Sequence, residues 1–254
     1  MTSGPSDRWI DVGGPSIDRQ RRLSGTVAPL AELPLWIGIA LALVPFLFPV
    51  LAFTAIYTVT MGSDPGLPEQ FANLPLGIGY CCVLAVLRWR FDDAIWRASA
   101  VFRRPSIREI GAALLAAIVG IGIVIGINRY AATVGFEPHD PGQVTTSVDL
   151  AILLFGSVLV APIAEELLFR GLVFGQLLSR GYGLLAAAVL SVLLFTVIHV
   201  FIAGLVSIAV AGVLGALLTV LRVWYDNLVG AWLMHALINT AALLIALAVL
   251  PAPW

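Results

Sequence analysis

The sequence predicts an all-α fold, a polytopic transmembrane helical bundle of about seven spans, and three observations carry that expectation. Of the 254 residues, 60% are apolar and 11% are charged. A soluble domain carries about 25% charged residues, so this chain has too little polar surface to coat a globule in water. Its mean hydropathy of +0.99 agrees. The few charges lie between uncharged stretches long enough to cross a bilayer as helices, for which about 20 residues are needed. The net charge of -1 provides no basic footprint for nucleic acid.

The elements follow in chain order. Residues 1–32 form a polar tail containing Asp7, Arg8, Asp11, Asp18, Arg19, Arg21, Arg22 and Glu32. The apolar run begins too far downstream and extends too long for a secretory signal, so the tail reads as a disordered cytoplasmic arm. Residues 33–147 hold the N-terminal transmembrane helices, within Leu33–Ser63, Gln70–Leu87 and Ile110–Asn128. Pro45 and Pro49 are expected to kink the first of them. The connection near 88–109, with Trp89 and Trp96, reads as an amphipathic helix on the cytoplasmic surface.

Residues 148–254 begin with an uncharged stretch from Leu150 to Ala164 that stops at a carboxylate pair, within a fourth span that ends at Arg180. Arg180, Gly181, Tyr182 and Gly183 mark a turn. The uncharged run that follows reaches Leu221, twice the length of one span, and Gly204 near its middle is the expected break. The last span lies within Asn227–Trp254.

Orientation follows from arginine. Arg8, Arg19, Arg21 and Arg22 sit in the tail, and Arg88, Arg90, Arg97, Arg103, Arg104 and Arg108 in the second connection. The first connection has none and the third only Arg129. The positive-inside rule then puts the N-terminus in the cytoplasm. Trp36, Trp89, Trp96 and Trp254 read as interface anchors, Cys81 and Cys82 as filler, and His139 as a solvated loop residue. Gly122 with Gly126, and Gly171 with Gly175, have the spacing that lets helices approach within one chain.

The charges inside the spans carry the chemistry. Ionisable groups at bilayer depth are expensive and mark function, and they are concentrated in the C-terminal half: Glu165, Glu166, Arg170, His199 and His235, with Asn239 as a polar companion. Glu166 and Arg170 are four apart and can neutralise each other on one helix face. Phe195 and His199 share a face by the same spacing, as do His235 and Asn239. Position 182 is midway between Glu165 and His199, so a hairpin sets them at similar depth. A carboxylate facing an imidazole in a dry cavity can activate water. His235 and Asn239 can then donate to an oxyanion. One distance does not close: Glu165 and His199 lie roughly 25 Å from the 181–183 turn, but His235 only about 12 Å from Asn227. Either the hairpin protrudes beyond the neighbouring turn, or a helix breaks near Pro162.

Glu165-Glu166-Leu167-Leu168-Phe169-Arg170 fits EExxxR, Phe195 to His199 fits FxxxH, and His235 to Asn239 fits HxxxN. In this order they resemble the CPBP family of intramembrane proteases, which includes the CAAX prenyl endopeptidases of the Rce1 type and homologues linked to bacteriocin immunity. The resemblance implies that Glu165 and His199 activate the hydrolytic water, His235 and Asn239 stabilise the oxyanion, and Glu166, Arg170 and Phe195 orient the site. It also implies a membrane-associated peptide or prenylated protein as substrate, met within the lipid bilayer. The family has been described both as glutamate-type and as metal-dependent. Glu165, His199 and His235 would be the ligands if a divalent metal such as zinc takes part.

Other protease classes lack their motifs: there is no HExxH, no GxSG serine motif in a span and no pair of intramembrane aspartates. A proton- or ion-coupled transporter using the buried Glu/His cluster is the alternative, but such carriers often have matching halves, and here the halves differ sharply in intramembrane charge. A non-catalytic scaffold is the third reading, and it requires function to survive loss of Glu165.

Overall fold

In the computed structural model, residues 15–61, 73–137, 144–203 and 205–252 are described. These residues are helical with no strand, so the all-α expectation holds. After α1 (Pro15–Val27) and a 3₁₀ turn (Ala28–Glu32) come α2 (Leu35–Met61), α3 (Asn73–Arg90), α4 (Asp93–Ser99) and α5 (Ile107–Thr133). A long composite helix, α6 (Ser147–Ser179), is followed by α7 (Leu184–Ala203), α8 (Val206–Tyr225) and α9 (Val229–Ala246).

Each of the six uncharged stretches contains a helix, and the double-length one contains two, but the count of about seven spans is not confirmed. Among the described residues, α5, α6, α8 and α9 are long and apolar enough to cross a membrane. A fifth span results if Arg19–Glu32 and Leu35–Leu47, bent by 88°, are one broken span. The apolar part of α7, Leu184–His199, is shorter. Outward-facing side chains such as Leu51, Leu115, Ile118, Leu185 and Val220 are more than half exposed, a surface suited to lipid. The protein is an integral membrane protein.

Two local expectations change. The polar N-terminal segment is helical from Pro15, and Leu23, Val27 and Leu30 are fully buried. They pack beneath the end of α6, where Arg180 donates to the carbonyls of Leu30, Ala31 and Leu33 and Gln176 to those of Leu33 and Pro34. Apolar spacing within a charged segment gave this stretch a buried face despite its polar composition. The connection near 88–109 contains only a short helix, Asp93–Ser99, capped by the Asp92 carboxylate. The fourth span carries the carboxylates mid-helix and ends at Ser179, next to the expected Arg180. Gly204, His139 and Trp254 lie outside the described residues, as does the side chain of Pro49.

The distance that did not close is resolved by protrusion. A β-carbon on Gly171 would lie 3.6 Å from Leu228, so the start of α9 is level with Gly171. The turn at Gly181 lies ten residues further on, about 15 Å along a helix. This overhang is the part of α6 that α1 and the 3₁₀ turn cover. The level of α9 is set by Glu109, whose carboxylate accepts from Gly230 N at 2.8 Å and from Asn227 Nδ2 at 3.1 Å. Gly181 has φ +83°, as the tight turn requires.

Glycines divide by what they meet. An added β-carbon at Gly171 would come 2.1 Å from the Ser99 carbonyl oxygen, and at Gly175 2.5 Å from Leu30, so both serve close packing within the chain. Gly122 and Gly126, expected to do the same, have nothing within 4 Å and face outward. Gly171→Val is expected to lower stability by about 1–3 kcal/mol through backbone displacement. Gly122→Ala is expected to be neutral or stabilising. Thermal unfolding in detergent measures both; equal melting temperatures would contradict the packing described.

Candidate active site

Helix α6 departs from α geometry twice. Leu154–Val160 and Glu166–Val173 are π-helical, and the α-helical turn Ala161–Glu165 between them contains Pro162. Proline lacks an N–H and its ring crowds the preceding turn, which a locally widened helix accommodates. The backbone N–H of Ala161 bonds the Gly156 carbonyl, five residues back. The next donor in that pattern would be residue 162, so the Ser157 carbonyl has no backbone partner there. Asn239 supplies one: its Nδ2 donates to Ser157 O at 2.8 Å. This ties α9 to α6 beside the carboxylates.

Glu165 and Glu166 are both buried, at 4% and 0% exposure, as is Arg170 at 0%. Such charges are tolerable only when paired and hydrogen-bonded. Arg170 Nη1 donates to Glu166 Oε1 at 3.3 Å, Nη2 to Gly215 O at 3.2 Å and Nε to Thr219 Oγ1 at 3.5 Å. The guanidinium carbon also lies 4.1 Å from the Phe195 ring centroid. The expected Glu166–Arg170 pair therefore forms, and α8 completes its shell.

His235 lies between the two glutamates. Its Nδ1 is 2.8 Å from Glu166 Oε1 and its Nε2 3.7 Å from Glu165 Oε2. Glu165 has a further partner that sequence reasoning missed: the Tyr80 hydroxyl donates to its Oε1 at 2.7 Å. The other oxygen, Oε2, is buried without a hydrogen bond among the described residues.

Phe195 is the hub of the imidazoles. Its ring centroid is 4.4 Å from that of His199 and 6.3 Å from that of His235. His199 Nδ1 is 2.6 Å from the Phe195 carbonyl oxygen. A carbonyl can only accept, so Nδ1 carries the proton and Nε2 of the neutral ring keeps its lone pair. Ser207 holds the same stretch of α7 by donating to His199 O at 2.9 Å.

The tertiary structure thus joins Glu165, Glu166, Arg170 and His235 directly and brings His199 into the same aromatic cluster. Among the described residues, no hydrogen bond joins Glu165 to His199. Asn239 is tied to Ser157 and retains its second N–H. His199 and Asn239 both line an apolar cavity of about 190 Å³ between α5, α7, α8 and α9. As placed, Glu165, His199 and His235 do not make a metal site: among the described residues no three His, Cys, Asp or Glu side chains are grouped to hold one.

Tyr80, Ser157, Asn73, Gly215 and Thr219 were not singled out from sequence. Tyr80 carried the one usable signal: it sits mid-helix in α3, whereas an anchoring tyrosine belongs at a helix end near the interface.

With this geometry in place, comparison with known proteins is informative. Residues 147–241 match the Rce1-like family model, described as type II CAAX prenyl endopeptidase Rce1-like. The segment spans all three motifs and bears out the resemblance read from them. It supports an intramembrane endopeptidase of the CAAX-protease kind and does not favour a transporter. Neither the curated proteins nor the solved structures contain a significant match to the chain.

Arg170→Ala is expected to destabilise the fold by about 3–5 kcal/mol, because it strips a buried carboxylate of its counter-ion. Adding Glu166→Gln should recover much of that loss by removing the unpaired charge. Melting temperatures of the single and double variants in detergent decide this; purely additive losses would contradict the pairing.

Proposed function

We propose that the protein is an intramembrane endopeptidase in which Glu165 and His199 activate water and His235 and Asn239 stabilise the oxyanion. The observation that carries the reading is the Glu165 carboxylate. It is buried in a helix bundle, tied at one oxygen by Tyr80, and its unbonded second oxygen is 3.7 Å from His235. Uncommitted basic oxygens are rare inside proteins, because burial without a partner is costly.

The chemistry follows from the donors and acceptors. Glu165 Oε2 and the His199 Nε2 lone pair are the two acceptors that can hold and deprotonate a water molecule. The hydroxide formed adds to the scissile carbonyl, and the oxygen of the tetrahedral adduct takes hydrogen bonds from His235 and the free N–H of Asn239. With Nδ1–H directed at Glu166, His235 offers Nε2–H in its imidazolium form. The proton taken from water then passes to the departing amine as the C–N bond breaks. Glu166 and Arg170 act by holding His235 and do not touch the substrate.

The substrate reading is a membrane-associated peptide, including a prenylated protein of the CAAX type, reaching the site from the lipid. The cavity bordered by His199 and Asn239 is apolar, which suits a greasy substrate. The cytoplasmic placement of the N-terminus and the bacterial plasma membrane are part of this proposal. They rest on the arginine distribution and on the family resemblance. A metal-free, glutamate-type reaction is the version proposed, because the acceptors described are sufficient for water activation and the three candidate ligands are not grouped.

In detergent or liposomes, Glu165→Ala and His199→Ala are each expected to abolish cleavage of a prenylated-peptide substrate while the protein remains folded. Wild-type turnover retained in either would refute the assignment. A strong chelator is expected to leave the rate unchanged, and loss of activity restored by added zinc would overturn the metal-free version.

A further inference from the structure

Among the described residues, the one hydrogen bond to the Glu165 carboxylate comes from outside the segment that matches a family model. Tyr80 lies on α3, in the N-terminal part of the chain, and is fully buried. Resting on the endopeptidase reading, we propose that Tyr80 is a positioning residue for Glu165, setting the direction of its reactive oxygen through the hydroxyl hydrogen bond.

The geometry that delivers this contact is specific. Helices α3 and α6 run side by side in the same direction and are joined at two rungs. At the first, Ser157 Oγ donates to Asn73 Oδ1 at 2.7 Å; at the second, Tyr80 donates to Glu165 at 2.7 Å. Seven residues on one helix match eight on the other, so the rungs are consistent with parallel packing. Two glycines permit the approach. A β-carbon on Gly156 would stand 2.5 Å from the Asn73 carbonyl oxygen, and one on Gly77 3.1 Å from Gly156 Cα. A helix pair this close places the tyrosine hydroxyl at the carboxylate.

The tyrosine is itself held. The Phe46 ring meets it edge-on at 5.4 Å and also contacts Phe169 and His199, at 6.4 Å and 6.2 Å. Ring packing on one side and the helix contact on the other leave the hydroxyl little freedom. A carboxylate has two oxygens and free rotation about its last bonds. Pinning Oε1 decides where Oε2 points, and here it points toward His235. Without the pin, Oε2 can rotate away from the water position, and small displacements of a reacting group carry large rate costs, up to about 100-fold.

The test uses the full chain in detergent with a fluorogenic prenylated peptide. Tyr80→Phe keeps the ring and removes only the hydroxyl. It is expected to lower kcat about 10- to 100-fold with KM within about twofold, alongside a modest fall in melting temperature from the carboxylate oxygen left without its donor. Replacing Tyr80 with 3-fluorotyrosine, which restores the donor at nearly the same size, is expected to return kcat to within about threefold of wild type. Full kcat in Tyr80→Phe overturns the proposal. So does a loss that appears only as a lower melting temperature or a raised KM, because that outcome describes a packing residue. If 3-fluorotyrosine is as impaired as phenylalanine, the hydroxyl is not the cause and the proposal also fails. Absence of any turnover by the wild-type protein is a different result. It refutes the endopeptidase reading and removes the reaction that Tyr80 would serve.

Discussion

A carboxylate pair in the interior of an apolar helix bundle is the constraint from which the rest of the site follows. Glu165 and Glu166 are adjacent in sequence, so their side chains leave the helix in different directions and need separate partners. Glu166 obtains Arg170, one turn away on its own helix, and His235 from α9. Glu165 obtains Tyr80 from α3 and approaches the far nitrogen of His235. Arg170 in turn directs its other two donors to α8. Three helices are thereby bound to one short segment of α6, and none of these charges is tolerable at that depth without the others.

The irregular geometry of α6 belongs to the same problem. Pro162 removes a backbone donor just before the carboxylates, and the widened turns on either side leave the Ser157 carbonyl to a side chain from another helix. Asn239 fills that role while standing at the edge of the cavity that His199 also lines. A helix defect and the candidate site thus share residues, as is frequent for π segments. The imidazoles are placed by packing: Phe195 contacts both, and its own carbonyl selects the tautomer of His199.

Height within the bundle is controlled from outside the site. Glu109 caps the start of α9 and so sets the level of His235. The overhanging end of α6 is covered by α1 and the 3₁₀ turn, which Arg180 and Gln176 hold by their carbonyls. These contacts let a long hairpin and a short one bring their polar groups to a common depth. Without the overhang the glutamates would sit over 10 Å from His235.

The sequence alone determined the helical class, the positions of the long helices and the polar residues that gather inside the bundle, because charges inside apolar stretches and i,i+4 spacing are local features. Glu166 with Arg170 and Phe195 with His199 are visible from spacing, and both contacts form. The partner of Glu165 was decided only by tertiary structure. Tyr80 lies 85 residues away, and nothing local distinguishes it from a packing tyrosine. The same holds for the place of His235 between the carboxylates and for the engagement of Asn239 with a carbonyl that Pro162 leaves without a donor. The burial of α1 was also hidden, because its polar composition masked a narrow apolar face that only the overhang of α6 could cover. Residue types and periods are written in the chain, whereas distances between remote segments depend on how closely glycines let the helices approach.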